Sequence, residues 1–123
     1  MHILVVDDEK LISWSIQKLL ARRGHTVEVC NRIHDALDLI QRTPFDLVIS
    51  DYVMPDAKGD TVMKAVRDKG GLTKVILMSG ALSAAAIDSL GADAYIEKPF
   101  LMAELQRVID RVCQNSQPGP SAV

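Results

Sequence analysis

Five side chains that can take part in ionic or polar chemistry follow short apolar runs of the sequence. They are Asp7, Asp8, Asp51, Ser79 and Lys98. If each run is a strand of one parallel sheet, the strands end at the same edge and bring these groups together. Turn preferences alone seldom place a reactive side chain after every central strand, so the pattern favours a functional Asp51 over an ordinary turn residue.

The three carboxylates of this set indicate which chemistry the edge could support. Carboxylates several ångströms apart repel one another, and each pair costs about 1 to 4 kcal/mol at a surface-like dielectric. A cation relieves that repulsion, and all-oxygen ligation suits Mg²⁺, which binds a few carboxylates, several waters and a phosphate oxygen. We therefore predict a phosphoryl group as substrate, with Asp51 as the nucleophile that forms an acyl phosphate.

Lys98 and Ser79 have matching roles in this hypothesis. Lys98 would pair with phosphoryl oxygens as a point charge, and the Ser79 hydroxyl would donate a hydrogen bond to them. The alternative for Lys98 is a solvated surface lysine, but Lys98 directly follows an apolar run. We expect Pro99 to hold Lys98 in a fixed turn, for which a cis peptide bond is one option.

The element that positions Asp51 is the segment 45–55, FDLVISDYVMP. Residues 47–49 are large aliphatics, which suits a strand buried on both faces beneath helices. Because Pro55 cannot continue a central ladder and biases the preceding residue away from helix, the strand must end between residues 50 and 54. Asp51 is thus expected at the carboxyl end of a buried strand.

Apolar patterning predicts the remaining elements around this strand. Further strands are expected at residues 3–6, 26–30, 74–78 and 94–96, and the helices between them include a short alanine-rich one over 81–90. The acids of residues 7–9 should start the first helix, Asn31 should cap the second, and Leu101 should begin the apolar stripe of the last.

Five predicted strands alternate with five predicted helices. This alternation indicates parallel pairing, right-handed crossovers and helices on both faces of the sheet. The predicted fold class is α/β, a flavodoxin-like doubly wound (βα)5 fold whose five-stranded parallel sheet has the order 2-1-3-4-5. Residues 1–114 form the domain, and residues 115–123, rich in Pro, Gly and Ser, form a flexible tail or the start of a linker.

Composition restricts the function classes. The net charge of −2 gives no basis for direct binding to nucleic acid or to an anionic membrane. The sequence has neither a bilayer-spanning apolar run nor a cleavable leader, so a cytoplasmic protein is expected. Cys30 and Cys113 have no metal-ligand spacing and are interpreted as reduced packing residues.

Together, these residues resemble the receiver domain of two-component response regulators. The resemblance extends through about Gln114 and rests on the following motifs, in the family's order and close to its spacing: Val5-Val6-Asp7-Asp8-Glu9, Asp51 with Met54-Pro55 and Gly59, Ser79-Gly80, Tyr95, and Lys98-Pro99-Phe100. From Ser79 to Lys98 there are 19 positions, whereas receivers usually have about three more, so the fourth helix is about one turn short. This shortening affects the surface through which receivers commonly dimerise or bind partners.

The resemblance implies a phosphorylation-dependent switch rather than an enzyme with a separate substrate. A sensor histidine kinase or a phosphotransfer protein would donate a phosphoryl group to Asp51. Asp7, Asp8 and Asp51, with the backbone carbonyl of Val53, would hold Mg²⁺. Ser79 and Tyr95 would form the switch pair, and a phosphorylation-dependent homodimer is one expected output.

Three alternatives remain open from the sequence. The chain could be the receiver of a larger transcription regulator, such as a σ54-dependent activator, or a module that only binds a partner. A Mg²⁺-dependent phosphotransfer enzyme is disfavoured, because Asp-nucleophile phosphatases need an acid/base Asp where this chain has Val53. With apolar Val53 and Ala81 beside the acyl phosphate, no side chain there would orient water, so slow autodephosphorylation is expected.

Trp14 falls nearly opposite the apolar stripe of the first helix. An exposed tryptophan there is either an isolated apolar residue or part of a partner surface. Because the donor histidine must approach the edge where this helix begins, we predict that Trp14 contributes to kinase docking.

Overall fold

A computed structural model describes residues 1–80 and 90–114 of the chain. Its strands are β1 (His2–Val6), β2 (Thr26–Cys30), β3 (Leu47–Asp51), β4 (Lys74–Ser79) and β5 (Ala94–Glu97). Its helices are α1 (Lys10–Arg22), α2 (Ile33–Arg42), α3 (Gly59–Lys69) and α4 (Met102–Gln114). The tail expected over residues 115–123 and, apart from Leu90, the helix expected over 81–90 lie outside the described residues.

The five strands pair in parallel in the order β2-β1-β3-β4-β5, which confirms the predicted fold class. β3 lies at the centre, where Ile49 is in register with Val5 of β1 on one side and Ile76 of β4 on the other. All of β3 is buried. Asp51, the last residue of this strand, is in register with Met78 of β4, and the residue before it, Ser50, is in register with Val6 of β1.

The core has two layers, one on each face of the sheet. Leu4, Val6 and Val48 pack with residues of α2 and α3 on one face. Ile3 and Val5 pack with α1 and α4 on the other face. Because successive strand residues point to opposite layers, a strand buried on both sides needs apolar residues at consecutive positions.

The helix starts differ from the sequence prediction. Glu9 precedes α1 without a capping hydrogen bond from its side chain, and Asp7 Oδ1 instead accepts the Glu9 N–H at 2.9 Å. Arg32, not Asn31, precedes α2. The predicted Asn31 cap is wrong because the first N–H groups of α2 donate to Asp56, while Asn31 Nδ2 donates to the carbonyl oxygen of Asp7 at 2.7 Å.

The N-terminus of α2 is capped by a residue distant in sequence. The two carboxylate oxygens of Asp56 accept the N–H groups of Ile33 at 3.1 Å and His34 at 3.0 Å. At the other end of α2, Lys69 Nζ donates to the carbonyl oxygens of Ile40 at 2.6 Å and Thr43 at 3.0 Å. Side chains just before and at the end of α3 thus bind both ends of α2.

The last helix is also shifted from its predicted start. Leu101 lies before α4 and is 69% exposed, so its assignment to the apolar stripe is wrong. The buried stripe is formed by Leu105, Ile109 and Val112. Within the described parts of the chain, every helix is too short or too polar to cross a membrane.

Candidate functional site

The strand ends predicted to meet do lie at one edge of the sheet. Asp7 directly follows β1, Asp51 and Ser79 end β3 and β4, and Lys98 follows β5. The backbone hydrogen bonding between β4 and β5 continues beyond their last paired residues, since the Lys98 N–H donates to the Ser79 carbonyl at 2.9 Å. All of these parallel strands end at this edge, so the fold itself brings the four side chains together.

Three carboxylates form the acidic part of the site, two of them buried and one exposed. Oxygen atoms of Asp7, Asp8 and Asp51 all lie within 4.8 Å of one another. Asp7 is fully buried and Asp51 is 7% exposed, whereas Asp8 is exposed. Two of the acids therefore lie in the protein interior, and the third is accessible to a ligand in solvent.

Lys98 is the cation of this cluster. Its Nζ donates to Asp7 Oδ2 at 2.8 Å, Asp51 Oδ2 at 3.0 Å and Glu9 Oε1 at 3.3 Å. The Lys98–Pro99 peptide bond is cis. Burial alone would lower the pKa of Lys98, but the hydrogen bonds to Asp7 and Asp51 outweigh burial and raise this pKa above its usual range. The ammonium thus stays charged at neutral pH.

Asp51 is under the opposite influence. Burial raises the pKa of its carboxyl group, the hydrogen bond and charge of Lys98 act against that shift, and the charges of Asp7 and Asp8 add to it. The net direction is upward. The contact with Lys98 therefore does not fully offset the combined effect of burial and of the neighbouring acids on Asp51.

The donor set fits a hard divalent cation. The site offers carboxylate oxygens from three residues, of which Asp8 is open to solvent. Mg²⁺ prefers oxygen ligands and keeps several waters, which the exposed side of the site can supply. A bound cation would also offset the repulsion from Asp7 and Asp8, which adds to the effect of burial in raising the pKa of Asp51.

The loop between β3 and α3 is folded tightly behind Asp51. Val53 forms an isolated antiparallel bridge with Lys58, and its side chain is 62% exposed. The Gly59 N–H donates to the Tyr52 carbonyl at 2.6 Å. A Cβ atom at Gly59 would lie 2.9 Å from Tyr52 Cα, so only glycine permits this approach.

The two residues of the expected switch pair lie on neighbouring strands. Ser79 is 4% exposed, whereas Tyr95 is 37% exposed. Tyr95 pairs in register with Leu77, two positions before Ser79 along β4. Ala81, expected to line the site, lies outside the described residues.

Comparison with known proteins decides the family. The model of the response regulator receiver domain matches residues 3–110. The chain is a response regulator receiver domain. It is 39% identical over 110 residues to the transcriptional regulatory protein DltR of Streptococcus agalactiae, covering 85% of this chain and 48% of that protein.

Two further comparisons agree with this assignment. The response regulator MprA of Mycolicibacterium vanbaalenii is 32% identical over 130 residues, covering 99% of this chain and 56% of that protein. The structure of the Vibrio cholerae chemotaxis protein CheY4 superposes with a TM-score of 0.82 at 29% identity, covering 90% of this chain and 97% of that chain. The receiver spans about half the length of the curated relatives it matches.

Membership in the family has direct consequences. Receivers are parts of two-component signalling systems, they interact with histidine kinases or phosphotransfer proteins, and they bind Mg²⁺ at an acidic pocket. They are signalling proteins rather than enzymes in the ordinary sense. In this receiver the matching acidic cluster is Asp7, Asp8 and Asp51.

Trp14 lies on the surface of the receiver beside this edge. It is 53% exposed, and Lys18 Nζ lies 4.6 Å from the centroid of its ring. An apolar depression lined by Ile12, Phe100 and Met102 reaches Lys98, and Met102 also borders a depression that Trp14 lines. The sequence analysis predicted the exposure of Trp14 but missed the depression, which the run from Lys98 to Met102 could have indicated.

The sequence analysis also missed the residues that support the site loops. Glu9 is a third acidic partner of Lys98. Asn31 binds the segment that follows β1, and Asp56 connects the segment that follows β3 to the start of α2. Glu9 could have been suspected from its place beside Asp7 and Asp8, whereas no local pattern marks the partners of Asn31 and Asp56.

Proposed function

We propose that Asp51 accepts the phosphoryl group that activates this receiver, from the phosphohistidine of a sensor histidine kinase or phosphotransfer protein. The observation that carries the proposal is the position of Lys98 Nζ, within 3.0 Å of carboxylate oxygens of both Asp7 and Asp51. This ammonium can pair with a phosphoryl oxygen once Asp51 has reacted, because Asp7 keeps it beside the site.

The transfer would proceed by in-line displacement. An Asp51 carboxylate oxygen attacks the phosphorus, the phosphorus–nitrogen bond to the donor histidine breaks, and the imidazole nitrogen keeps the electron pair and takes up a proton. Asp7, Asp8, Asp51 and the Val53 carbonyl are the ligands we assign to Mg²⁺. When bound, Mg²⁺ supplies charge neutralisation for the phosphoryl oxygens. Lys98 supplies the remaining positive charge that faces these oxygens.

The same site would then act as a switch. A phosphoryl group adds about −1.5 to −2 charge and three strong acceptors. Ser79, which ends the neighbouring strand, is the hydroxyl placed to donate to them, and Tyr95 on β5 would follow its movement. We propose that this change alters partner binding or produces a homodimer, and that the receiver itself catalyses only its own phosphorylation and dephosphorylation.

The relatives favour a transcriptional output for the whole protein. Two of them are named as a transcriptional regulatory protein and a response regulator, and each is about twice the length that the receiver covers. We therefore propose residues 1–114 as the receiver and 115–123 as the start of a linker to an output domain, with σ54-type activators as one candidate class. The receiver would act in the cytoplasm, where ATP is available to phosphorylate the histidine kinase.

Labelling with a small phosphodonor tests the central proposal. Wild-type protein incubated with acetyl phosphate and Mg²⁺ should acquire a covalent label that hydroxylamine removes, and Asp51→Asn should not. Asp46→Asn is the matched control, because Asp46 is a carboxylate at the opposite edge of the sheet. Full labelling of Asp51→Asn would contradict the assignment, turnover of donor without label would indicate an enzyme, and no reaction of wild type would indicate a binding module.

A further inference from the structure

Two loops carry the ligands assigned to Mg²⁺, and they come from distant parts of the chain. One follows β1 and carries Asp7 and Asp8, and the other follows β3 and carries the Val53 carbonyl. Their relative position determines whether the ligands match the narrow octahedral geometry of Mg²⁺. What holds the two loops at a fixed separation is therefore part of the site.

The first loop is bound to the junction of β2 and α2. Asn31 Nδ2 donates to the carbonyl oxygen of Asp7 at 2.7 Å and to Ser13 Oγ at 3.3 Å. The Asp7 N–H donates to the Cys30 carbonyl at 3.1 Å. Both backbone polar groups of Asp7 are thus bonded to consecutive residues of this junction, which fixes the peptide planes on each side of the carboxylate.

The second loop is bound to the same junction. Asp56 accepts the first two N–H groups of α2, from Ile33 at 3.1 Å and His34 at 3.0 Å, and His34 Nδ1 lies 3.0 Å from Asp56 Oδ2. Desolvation alone would raise the pKa of Asp56, but the N–H groups of His34 and Ile33 outweigh it and lower this pKa. The carboxylate is therefore ionised and bound to the helix end, where the dipole of α2 favours negative charge.

We propose that residues 31–34 are a common anchor that sets the distance between the two metal-binding loops, with Asn31 and Asp56 as positioning residues for Mg²⁺. Neither side chain is assigned as a ligand. Each holds one loop to the same short segment, so loss of either contact lets the two loops move relative to each other. This inference rests on the proposed function, since it concerns the same metal site.

Direct measurement of Mg²⁺ binding tests the anchor. The Kd for Mg²⁺ is obtained from amide chemical shifts in a two-dimensional NMR titration of wild type, Asn31→Ala, Asp56→Ala and the double variant. Loss of an outer support typically weakens metal binding about 10- to 100-fold, and we expect about tenfold for each single variant. The Mg²⁺ affinity of the double variant should be weakened by clearly less than the product of the two single-variant factors. Breaking either contact already lets the two loops move relative to each other. Asp56→Asn, which keeps one acceptor oxygen, should lose less than Asp56→Ala.

Two controls separate positioning from general destabilisation. Asp38→Gly weakens α2 at an exposed position that touches neither loop, and its Kd for Mg²⁺ should equal that of wild type. In labelling with acetyl phosphate, the anchor variants should need more Mg²⁺ for half-maximal rate yet reach nearly the wild-type rate at saturating Mg²⁺. A variant that was merely less folded would lose rate at every concentration of Mg²⁺.

The outcomes are distinct. Wild-type Mg²⁺ affinity in Asn31→Ala and Asp56→Ala, an equal loss in Asp38→Gly, or fully multiplicative losses in the double variant would each overturn the common anchor while leaving the acceptor role of Asp51 intact. Failure of wild type to bind Mg²⁺, or unchanged binding in Asp8→Asn, would overturn the metal site itself and the anchor with it.

Discussion

Acidic residues lie at both edges of the sheet, and their partners differ. At the amino edge, Asp46 Oδ2 accepts the His2 N–H at 2.8 Å, and Asp93 Oδ2 accepts the Val75 N–H at 2.8 Å. Each of these carboxylates binds a backbone donor of a neighbouring strand. At the carboxyl edge, Asp7 and Asp51 both bind Lys98. Aspartates thus bind backbone donors at one edge and form a charged cluster with a lysine at the other. The partners of an aspartate therefore indicate its role better than its position before or after a strand.

The largest effect on stability is expected from removing the cation of the carboxyl edge. Lys98→Met would leave Asp7, which is fully buried, and Asp51 without their ammonium partner. Breaking a buried pair in this way typically costs about 3 to 5 kcal/mol. We expect a loss near the lower value in denaturant unfolding without Mg²⁺, because the carboxylates can partly protonate or gain water.

Lys74→Met is the matched change at the amino edge. Lys74 Nζ lies 3.9 Å from Asp93 Oδ1, and the lysine side chain is 30% exposed. A pair of this kind contributes about 0 to 1 kcal/mol. Equal losses in the two methionine variants would remove the distinction between the edges.

A smaller loss is expected where the backbone is crowded. In Gly59→Ala the new Cβ would lie 2.9 Å from Tyr52 Cα and 3.1 Å from the Asp51 carbonyl oxygen, and neither backbone atom can rotate away. Overpacking of this kind costs about 1 to 3 kcal/mol. The variant should also label more slowly with acetyl phosphate, because the loop behind Asp51 must shift. Gly71→Ala, near the amino edge, meets nothing within 4 Å and should unfold within about 0.5 kcal/mol of wild type.

Asp51→Asn should increase stability, although it removes the proposed acceptor. Burial and the neighbouring acids raise the pKa of Asp51, so the ionised carboxylate disfavours folding. We expect a gain on the order of 1 kcal/mol at pH 7 without Mg²⁺. The folded state binds the Asp51 proton more tightly than the unfolded state does, so wild-type stability falls as the pH rises from the ordinary carboxyl pKa through the raised one.

The gain from Asp51→Asn should therefore shrink at acidic pH, where wild-type Asp51 is also neutral. Asp93→Ala serves as the opposite case, because it removes the acceptor of the Val75 N–H and should cost about 1 kcal/mol. Thermal melts of both variants across pH would check the signs. A lower melting temperature for Asp51→Asn at neutral pH would mean that Lys98 fully compensates the cluster.

The smallest change in stability is expected at Trp14. The side chain is 53% exposed, so Trp14→Ala should alter the free energy of unfolding by less than about 0.5 kcal/mol. It should slow phosphotransfer from the cognate kinase and leave labelling by acetyl phosphate unchanged. This result would show that the carboxyl edge recognises its partner through apolar surface beside the charges. An equal loss with both donors would point to a packing role.

The gathering of Asp7, Asp51 and Lys98 could be predicted because it follows from strand direction alone. Once apolar runs are assigned to parallel strands, their last residues must share an edge. The role of Asp56 could not be predicted in the same way, because its partners in α2 are 22 and 23 positions away in sequence. Asn is a common helix cap, but here Asp56, which is distant in sequence, accepts the helix N–H groups that a cap at Asn31 would bind, and only the folded geometry brings Asp56 there.

The contacts at the two ends of α2 have a mechanical consequence. Asp56 binds the N–H groups at its start, and Lys69 binds the carbonyl oxygens of Ile40 and Thr43 at its end. Sliding of α2 along its axis in either direction would lengthen one of these sets of bonds, so both directions of shear are resisted. The contacts therefore hold α2 and α3 together as a unit, and we expect a displacement of Ser79 or Lys98 to produce relative motion on the β4–β5 side instead.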